Sequence, residues 1–306
     1  MGEPAWRRAR VAHRDRSSWR RDRHHLLRRG CGVLAPRDPM TESFTSPLAG
    51  AISRRGQRVL DRLGRQVGPR SGPGGDVDDK PQRRPLYVHA LALGLDPAWR
   101  RQGRDERCRS AEEFCAAVKA ESEVTTFTYS MIGLKAGVDM LLWSLAPSLG
   151  ALEQKCARAL RSGMGAWMTA RHSMLGIIRP SQYVKRPTTQ EQSLFSGERS
   201  PYLIVYPFTK STDWYLLTQE ERQKVMNEHM KVGHRYQQVR QLLAYSFGVD
   251  DMDFLVAYET DDLPAFGELV RELRGTESRR STIRDTPILT GIHRPVDEIT
   301  RLLGAE

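Results

Sequence analysis

The sequence has few cysteines and no long hydrophobic run. Its four cysteines are Cys31, Cys108, Cys115 and Cys156, which form no C-x-x-C pair and no zinc-like spacing with histidine. This pattern predicts reduced thiols in a cytoplasmic protein and argues against a disulfide framework or a zinc site. We find no apolar stretch long enough for a secretory signal or a membrane span, and we expect neither.

The second part of the chain also lacks net charge. The 306 residues together carry a formal charge of +11. Residues 1–85 hold 20 Lys and Arg against 9 Asp and Glu, whereas residues 86–306 hold 28 of each kind. A neutral domain has no general attraction for phosphates, so we expect no nucleic-acid partner for residues 86–306.

The basic first part has little to bury. Residues 1–85 are rich in Arg, Gly and Pro, as in GPRSGPGGDVDDKPQRRP, and are poor in apolar residues. This composition predicts a disordered basic tail. A transit-like targeting role and a dispensable tail both remain open for it.

Two similar blocks of strands and helices follow, at about residues 86–180 and about 200–294. The first block predicts strands at 86–95, 123–134, 138–145 and 168–178, with helices at 110–120 and 148–162. The second predicts strands at 202–208, 239–247, 252–258 and 287–293, with helices at 218–238 and 262–274. Two β-α-β-β-α-β units in tandem predict an α+β fold of ferredoxin-like repeats, with antiparallel sheets and helices on one face.

The helix predicted from Thr218 carries the chain's most informative histidine. Thr218 and Glu221 form a capping box at its start, and Ser110 with Glu113 is predicted to cap a first-block helix in the same way. His229 falls on an apolar stripe of this helix, whereas His234 faces water. Most histidines on apolar faces are satisfied core residues, so the spacing by itself leaves a ligand role open.

Several longer segments resemble one known family. They are YVHALALGLDPAWRR, TFTYSMIGLKAGVDMLLWSLAPSL, YPFTKSTDWYLLTQEER, SFGVDDMDF, FLVAYETDDLPAFGELVRELRGTESRRS and GIHRP. In order and spacing they resemble the chlorite dismutase-like family of haem proteins, over about residues 86–303. The resemblance implies that residues 86–306 form one haem-binding domain, a dimeric α+β barrel with haem in the second repeat, and that the protein is a homopentamer.

The same resemblance implies roles on both sides of the haem iron. His229 would be the proximal ligand, and Glu277 would orient its imidazole. Gln241 would lie on the distal side, where chlorite-degrading members have an arginine. Gln241, Leu243 and the next alternate residues share one strand face, which we expect to point inward. A neutral amide would hold an anionic oxidant such as chlorite poorly.

A second set of residues points to one branch of the family. YPFTK resembles the Tyr-Pro-x-x-Lys of coproheme decarboxylases, which implies that Tyr206 forms a radical and Lys210 holds the reacting propionate. Arg274 would pair with another propionate, and Trp214 would bind the cofactor. However, the expected arginine is missing or displaced in the upstream segment TQEQSLFSGERSPY, and Trp214-Tyr215 and GIHRPVDEITRLL look closer to chlorite-degrading members.

These residues together predict an oxidoreductase of haem biosynthesis, a coproheme decarboxylase. Hydrogen peroxide would be the oxidant, and iron-coproporphyrin III (coproheme) would be both substrate and redox centre, with haem b as the product. Coproporphyrin ferrochelatase would be a protein partner. Two alternatives stay open: a chlorite dismutase or haem peroxidase on the same scaffold, and a non-enzymatic haem carrier or sensor.

Overall fold

The computed structural model describes residues 85–179 and 198–306. The predicted basic tail, except its last residue, and most of the segment TQEQSLFSGERSPY lie outside the described residues. The described strands are β1 Leu86–Leu95, β2 Thr125–Lys135, β3 Val138–Ala146, β4 Met168–Ile178, β5 Tyr202–Lys210, β6 Arg240–Tyr245, β7 Phe254–Thr260, β8 Thr282–Arg284 and β9 Leu289–His293. The described α-helices are α1 Arg104–Lys119, α2 Leu149–Arg161, α3 Thr212–Leu216, α4 Gln219–Gly233, α5 Leu263–Arg274 and α6 Val296–Leu302.

The strands form one antiparallel sheet that closes on itself. Its order is β7-β6-β4-β1-β3-β2-β9-β5-β8, and β7 also pairs with β5. The first repeat contributes β4-β1-β3-β2, and the second repeats this order as β9-β5-β7-β6. The repeats join where Ile177 pairs with Tyr245 and where Tyr129 pairs with His293. The predicted α+β class with tandem ferredoxin-like repeats is confirmed.

Side chains alternate between the two faces of the sheet. One face forms a core shared by both repeats, and the other is covered by helices. The shared core includes Val88, Leu141, Leu203 and Leu242, which come from both repeats. Because side chains alternate across a strand, the residues next to these face the helices instead. On the first repeat that opposite face is covered by α1 and α2, together with the C-terminal helix α6.

Two helix boundaries differ from the sequence prediction. Helix α1 begins at Arg104 after Gly103, not at Ser110. Ser110 lies inside the helix. Its Oγ accepts a hydrogen bond from the indole N–H of Trp99 at 3.0 Å, so the hydroxyl is paired without capping a helix end. Helix α4 begins at the predicted Thr218–Glu221 capping box, and this prediction is confirmed. The same helix ends at Gly233 with His234 as its C-cap, five residues earlier than predicted.

Three short elements were not predicted: α3, β8 and the final helix α6. Helix α6 is only seven residues long, and no side chain caps its N-terminus. Its place is set by tertiary packing of Ile299 and Leu303 against the first repeat. In the described part of the chain, none of the helices combines the length and apolar character needed to cross a membrane.

Candidate functional site

The register of the second repeat brings two predicted site residues to one face of the sheet. Gln241 on β6 pairs with Tyr258 on β7, and Leu243 pairs with Val256. Val256 in turn pairs with Tyr206 on β5. Directly paired residues share a face of the sheet. Gln241 and Tyr206 therefore lie on the same face, and it is the face on which side chains of α4 and α5 pack.

Helix α4 does not fill the space between itself and this face. None of its residues is buried, and the helix packs mainly against α5 and the 3₁₀ turn Glu277–Ser281. On the sheet, Leu243 is 43% exposed and Phe247 is 46% exposed. The Phe247 ring contacts Phe254 edge-on with ring centroids 5.1 Å apart. Leu243 and Phe247 thus leave apolar surface exposed on the sheet face against which α4 and α5 pack.

The imidazole of His229 is held at one nitrogen. Its Nδ1 lies 3.1 Å from Ser278 Oγ, in the turn that follows α5. The protein atoms around the half-buried ring, which displace water from it, and then the nearby Lys210 ammonium lower the pKa of His229 to about 4. The ring is therefore neutral at physiological pH, which is the form that binds a metal ion.

Glu277 does not contact His229 in this structure. Its side chain is 56% exposed and pairs with Arg280 at 3.2 Å. Its backbone N–H donates to the Glu228 carboxylate at 3.0 Å, on α4. The reason is the geometry of the turn, which directs Glu277 outward and buries the next residue, Ser278. A hydroxyl thus occupies the position that we predicted for a carboxylate.

Lys210 and Trp214 support the turn that carries Ser278. The Lys210 ammonium donates to the Ser278 carbonyl at 2.8 Å and lies 4.5 Å from the centre of the Trp214 ring. Both side chains are buried. Burial, followed by repulsion from Arg279, lowers the pKa of Lys210 to about 8. Lys210 is thus a buried cation beside His229, with its nitrogen bonded to protein backbone.

Tyr206 and Arg274 line a cavity of about 330 Å³ between α5 and the end of β5. Its remaining lining residues are Phe266, Gly267, Val270, Arg271, Asp285 and Ile288. Tyr206 stacks on Tyr258 with ring centroids 6.0 Å apart. Burial and then the neighbouring Tyr258 raise the pKa of Tyr206 well above its usual value. The phenol is therefore protonated.

These features fit an iron porphyrin. His229 supplies a neutral imidazole, and Leu243 and Phe247 expose apolar surface on the sheet. Arg271 and Arg274 line the cavity beside Tyr206. The sequence reasoning did not find Ser278, Thr276 or Tyr258. Tyr258 could have been found from strand alternation once the pairing with Gln241 was known. Ser278 is adjacent to Glu277, and sequence spacing could not decide which of the two faces His229.

The chain is similar to several known proteins. A family model described as chlorite dismutase matches residues 104–294. A coproheme decarboxylase from Mycolicibacterium smegmatis is 28% identical over 207 residues, covering 67% of this chain and 88% of that protein. An arginine-to-glutamate mutant of the chlorite dismutase from Candidatus Nitrospira defluvii has a similar structure, with a TM-score of 0.66 and 29% identity. That match covers 72% of this chain and 96% of the other.

A more distant structure shares the fold. A putative chlorite dismutase, TA0507, superposes with a TM-score of 0.61 at 23% identity, covering 72% of this chain and 99% of that one. The family model spans more than half of the chain. The matched region includes the first repeat from α1 onward, the second repeat, and every predicted site residue from Tyr206 to Glu277.

Proposed function

This chain belongs to the chlorite dismutase family, and from that premise we propose that it is a coproheme decarboxylase. The reaction converts two propionates of iron-coproporphyrin III to vinyl groups, with loss of two CO₂, and gives haem b. Each decarboxylation removes two electrons, which one hydrogen peroxide accepts as it becomes water. The observation that carries the proposal is Tyr206, a protonated phenol beside Arg274, on the sheet face that α4 and α5 cover.

His229 and the sheet would hold the iron porphyrin. The neutral His229 would bind iron through Nε2, since Nδ1 is engaged with Ser278. Leu243 and Phe247 would cover the apolar face of the macrocycle, since both expose apolar surface on the sheet face that carries Tyr206 and Gln241. When bound, the iron porphyrin supplies the redox centre on which peroxide acts.

Tyr206 would transfer an electron and a proton. Oxidation of a phenol requires loss of its proton, and the Tyr258 phenol is next to Tyr206, with ring centroids 6.0 Å apart. The Tyr206 radical would then take a hydrogen from the propionate chain. The carbon radical left on the substrate would lose CO₂ and give its second electron to the remaining oxidising equivalent of the peroxide, so that a vinyl group forms. Arg274 lines the same cavity and would hold a carboxylate through a bidentate pair. Lys210 would add positive potential, and Trp214 would keep it in place through the cation–π contact.

Gln241 favours this function over chlorite degradation. It lies on the same sheet face as Tyr206, where a cation would be needed to hold an anionic oxidant. Its neutral amide suits peroxide, which is uncharged at neutral pH. The buried Lys210–Trp214 pair and the similarity to solved chlorite dismutases keep chlorite dismutase or haem peroxidase as the second candidate.

One experiment separates the candidate functions. Protein loaded with coproheme is titrated with hydrogen peroxide, and the porphyrin products are identified by chromatography and mass spectrometry. We expect stepwise loss of two carboxyl groups and formation of haem b at about two peroxide per coproheme. Oxygen release from chlorite without decarboxylation would favour the second candidate. Tight binding with neither reaction would indicate a haem carrier or sensor.

We further propose that the enzyme works in the cytoplasm as a homopentamer and receives coproheme from coproporphyrin ferrochelatase. Cys108, Cys115 and Cys156 are free thiols, which suits a reducing compartment. Analytical ultracentrifugation would test the pentamer, and co-purification with the ferrochelatase would test the partner. A monodisperse monomer would contradict the first of these proposals.

A further inference from the structure

A chain of hydroxyl groups connects His229 to the end of helix α5. His229 Nδ1 lies 3.1 Å from Ser278 Oγ, and Ser278 Oγ lies 3.1 Å from Thr276 Oγ1. Thr276 Oγ1 lies 2.7 Å from the Leu273 carbonyl oxygen. Ser278 and Thr276 are both buried, so no bulk water replaces these contacts.

The Leu273 carbonyl determines which group donates in each hydrogen bond between it and His229. A carbonyl oxygen only accepts, and two oxygens 2.7 Å apart need a proton between them, so the Thr276 hydroxyl donates to Leu273. Thr276 has no second hydroxyl proton, so its oxygen accepts from Ser278. The Ser278 oxygen must then accept from His229, whose proton is therefore on Nδ1.

We propose that Thr276 and Ser278 form a hydroxyl relay that fixes His229 in the Nδ1–H tautomer and leaves the Nε2 lone pair free to bind a metal. The two residues are positioning residues, because they act through His229. The identity of the metal as porphyrin iron rests on the proposed function, whereas the tautomer itself does not.

The relay replaces a carboxylate partner with the end of a helix. Leu273 lies in the last turn of α5, where unpaired carbonyls give the helix its partial negative charge. A neutral hydroxyl polarises the imidazole less than a full carboxylate does. The nearest buried charge, Lys210, is positive and holds the Ser278 carbonyl at 2.8 Å. Both ends of Ser278 are thus held, which keeps its hydroxyl in position.

The test measures the tautomer in the full chain without porphyrin. Long-range proton–nitrogen correlation spectra show which imidazole nitrogen carries the proton, and His229→Gln identifies the His229 signals among the eight histidines. We expect the Nδ1–H form in the wild type. Thr276→Val should populate the Nε2–H form although Thr276 does not touch His229. Without its acceptor, the Ser278 hydroxyl can donate to Nδ1 instead.

Three further variants complete the test. Thr276→Ser keeps the hydroxyl and should retain the wild-type tautomer. Ser278→Ala should populate the Nε2–H form as Thr276→Val does. Glu277→Gln should leave the tautomer unchanged, since its side chain pairs with Arg280. An unchanged tautomer in both Thr276→Val and Ser278→Ala would overturn the relay, as would a change in Glu277→Gln alone. The Thr276→Val and Thr276→Ser pair decides the matter if Ser278→Ala does not fold.

Binding provides a second measurement. Ser278→Ala and Thr276→Val should weaken coproheme binding by about 10- to 100-fold, the usual effect of losing a partner that orients a metal-binding histidine. They should also lower the iron–histidine stretching frequency of the ferrous form, and Thr276→Ser should restore both. If the wild-type protein has the Nδ1–H tautomer but does not decarboxylate coproheme, the proposed function is wrong and the relay is still supported.

Discussion

The two repeats share one strand order but use their helix-covered faces differently. In the first repeat the space between sheet and helices is filled by large side chains, including Trp99, Phe114, Met140 and Met164, which are fully buried. Helix α6 packs against the same cluster through Ile299 and Leu303. In the second repeat, α4 has no buried residue, and Leu243 and Phe247 keep much of their surface exposed.

This difference shows how a duplicated unit can divide structural and binding roles. The first repeat uses its helix face as core, while the equivalent face of the second is partly exposed, as the proposed binding of a flat porphyrin requires. Each repeat also buries one lysine against a backbone carbonyl: Lys155 donates to Ala120 at 2.9 Å and Lys210 to Ser278 at 2.8 Å. In the first repeat this contact only supports the fold, whereas in the second it lies beside His229.

The sharpest contrast should come from matched aromatic truncations. Phe114→Ala in the first repeat should lower the free energy of unfolding by about 3–5 kcal/mol, because it leaves a cavity in a close-packed cluster. Phe247→Ala in the second repeat should lower it by less than about 1 kcal/mol, since the ring is half exposed, yet should weaken coproheme binding. Urea unfolding of the porphyrin-free protein measures both. Equal losses would mean that the second repeat is packed like the first.

Removal of the proposed iron ligand should affect binding more than folding. His229→Ala should weaken coproheme binding by about 100-fold, or about 2.7 kcal/mol, and added imidazole should restore the ligated spectrum. His234→Ala, one turn away at the exposed helix end, is the matched control. Spectroscopic titration with coproheme measures the effect. An unchanged spectrum and affinity in His229→Ala would show that another residue binds iron.

The buried lysine of the first repeat gives a smaller effect that depends on pH. Burial and then Arg158 lower the pKa of Lys155 to about 8, against 10.5 when exposed. Between pH 8 and 10.5 the unfolded chain binds more protons at this residue, so wild-type stability should rise with pH in that window. Lys155→Met removes the buried charge and should add about 1–2 kcal/mol at pH 7 after the lost hydrogen bond is counted.

The control for this prediction is Lys119→Met, an exposed lysine that pairs with Asp297. It should change stability little and should keep the pH dependence of the wild type. Denaturant unfolding at pH 7 and pH 10 measures all three proteins. If Lys155→Met gains as much at pH 10 as at pH 7, the pKa of Lys155 is not lowered in the folded protein.

Much of this comparison could be predicted from local sequence patterns. Strand alternation and the capping box at Thr218 depend on neighbouring residues, and they located most strands and the start of α4. Ser110 was misassigned because its partner, Trp99, reaches it through tertiary packing. Helix α6 was missed because its position depends on distant contacts with the first repeat.

The site was predictable to the level of segments rather than atoms. The prediction that Glu277 contacts His229 is wrong, because the turn directs Glu277 outward and Ser278 toward the imidazole. The predicted contact of Lys210 with a propionate stays a prediction. In this structure its ammonium binds the Ser278 carbonyl, which depends on how β5 meets the turn. Such contacts join residues far apart in the chain, and local patterns carry little information about them.

The central claim is that the second repeat performs oxidative decarboxylation through Tyr206. The most direct measurement compares Tyr206→Phe with Tyr202→Phe, the same substitution four residues earlier on β5. Both are loaded with coproheme, mixed with peroxide and assayed for haem b. Tyr206→Phe should bind coproheme normally but slow decarboxylation by about 100-fold or more, because phenylalanine has no phenolic proton to lose. Tyr202→Phe should retain the wild-type rate. Formation of haem b by Tyr206→Phe at the wild-type rate would contradict the account.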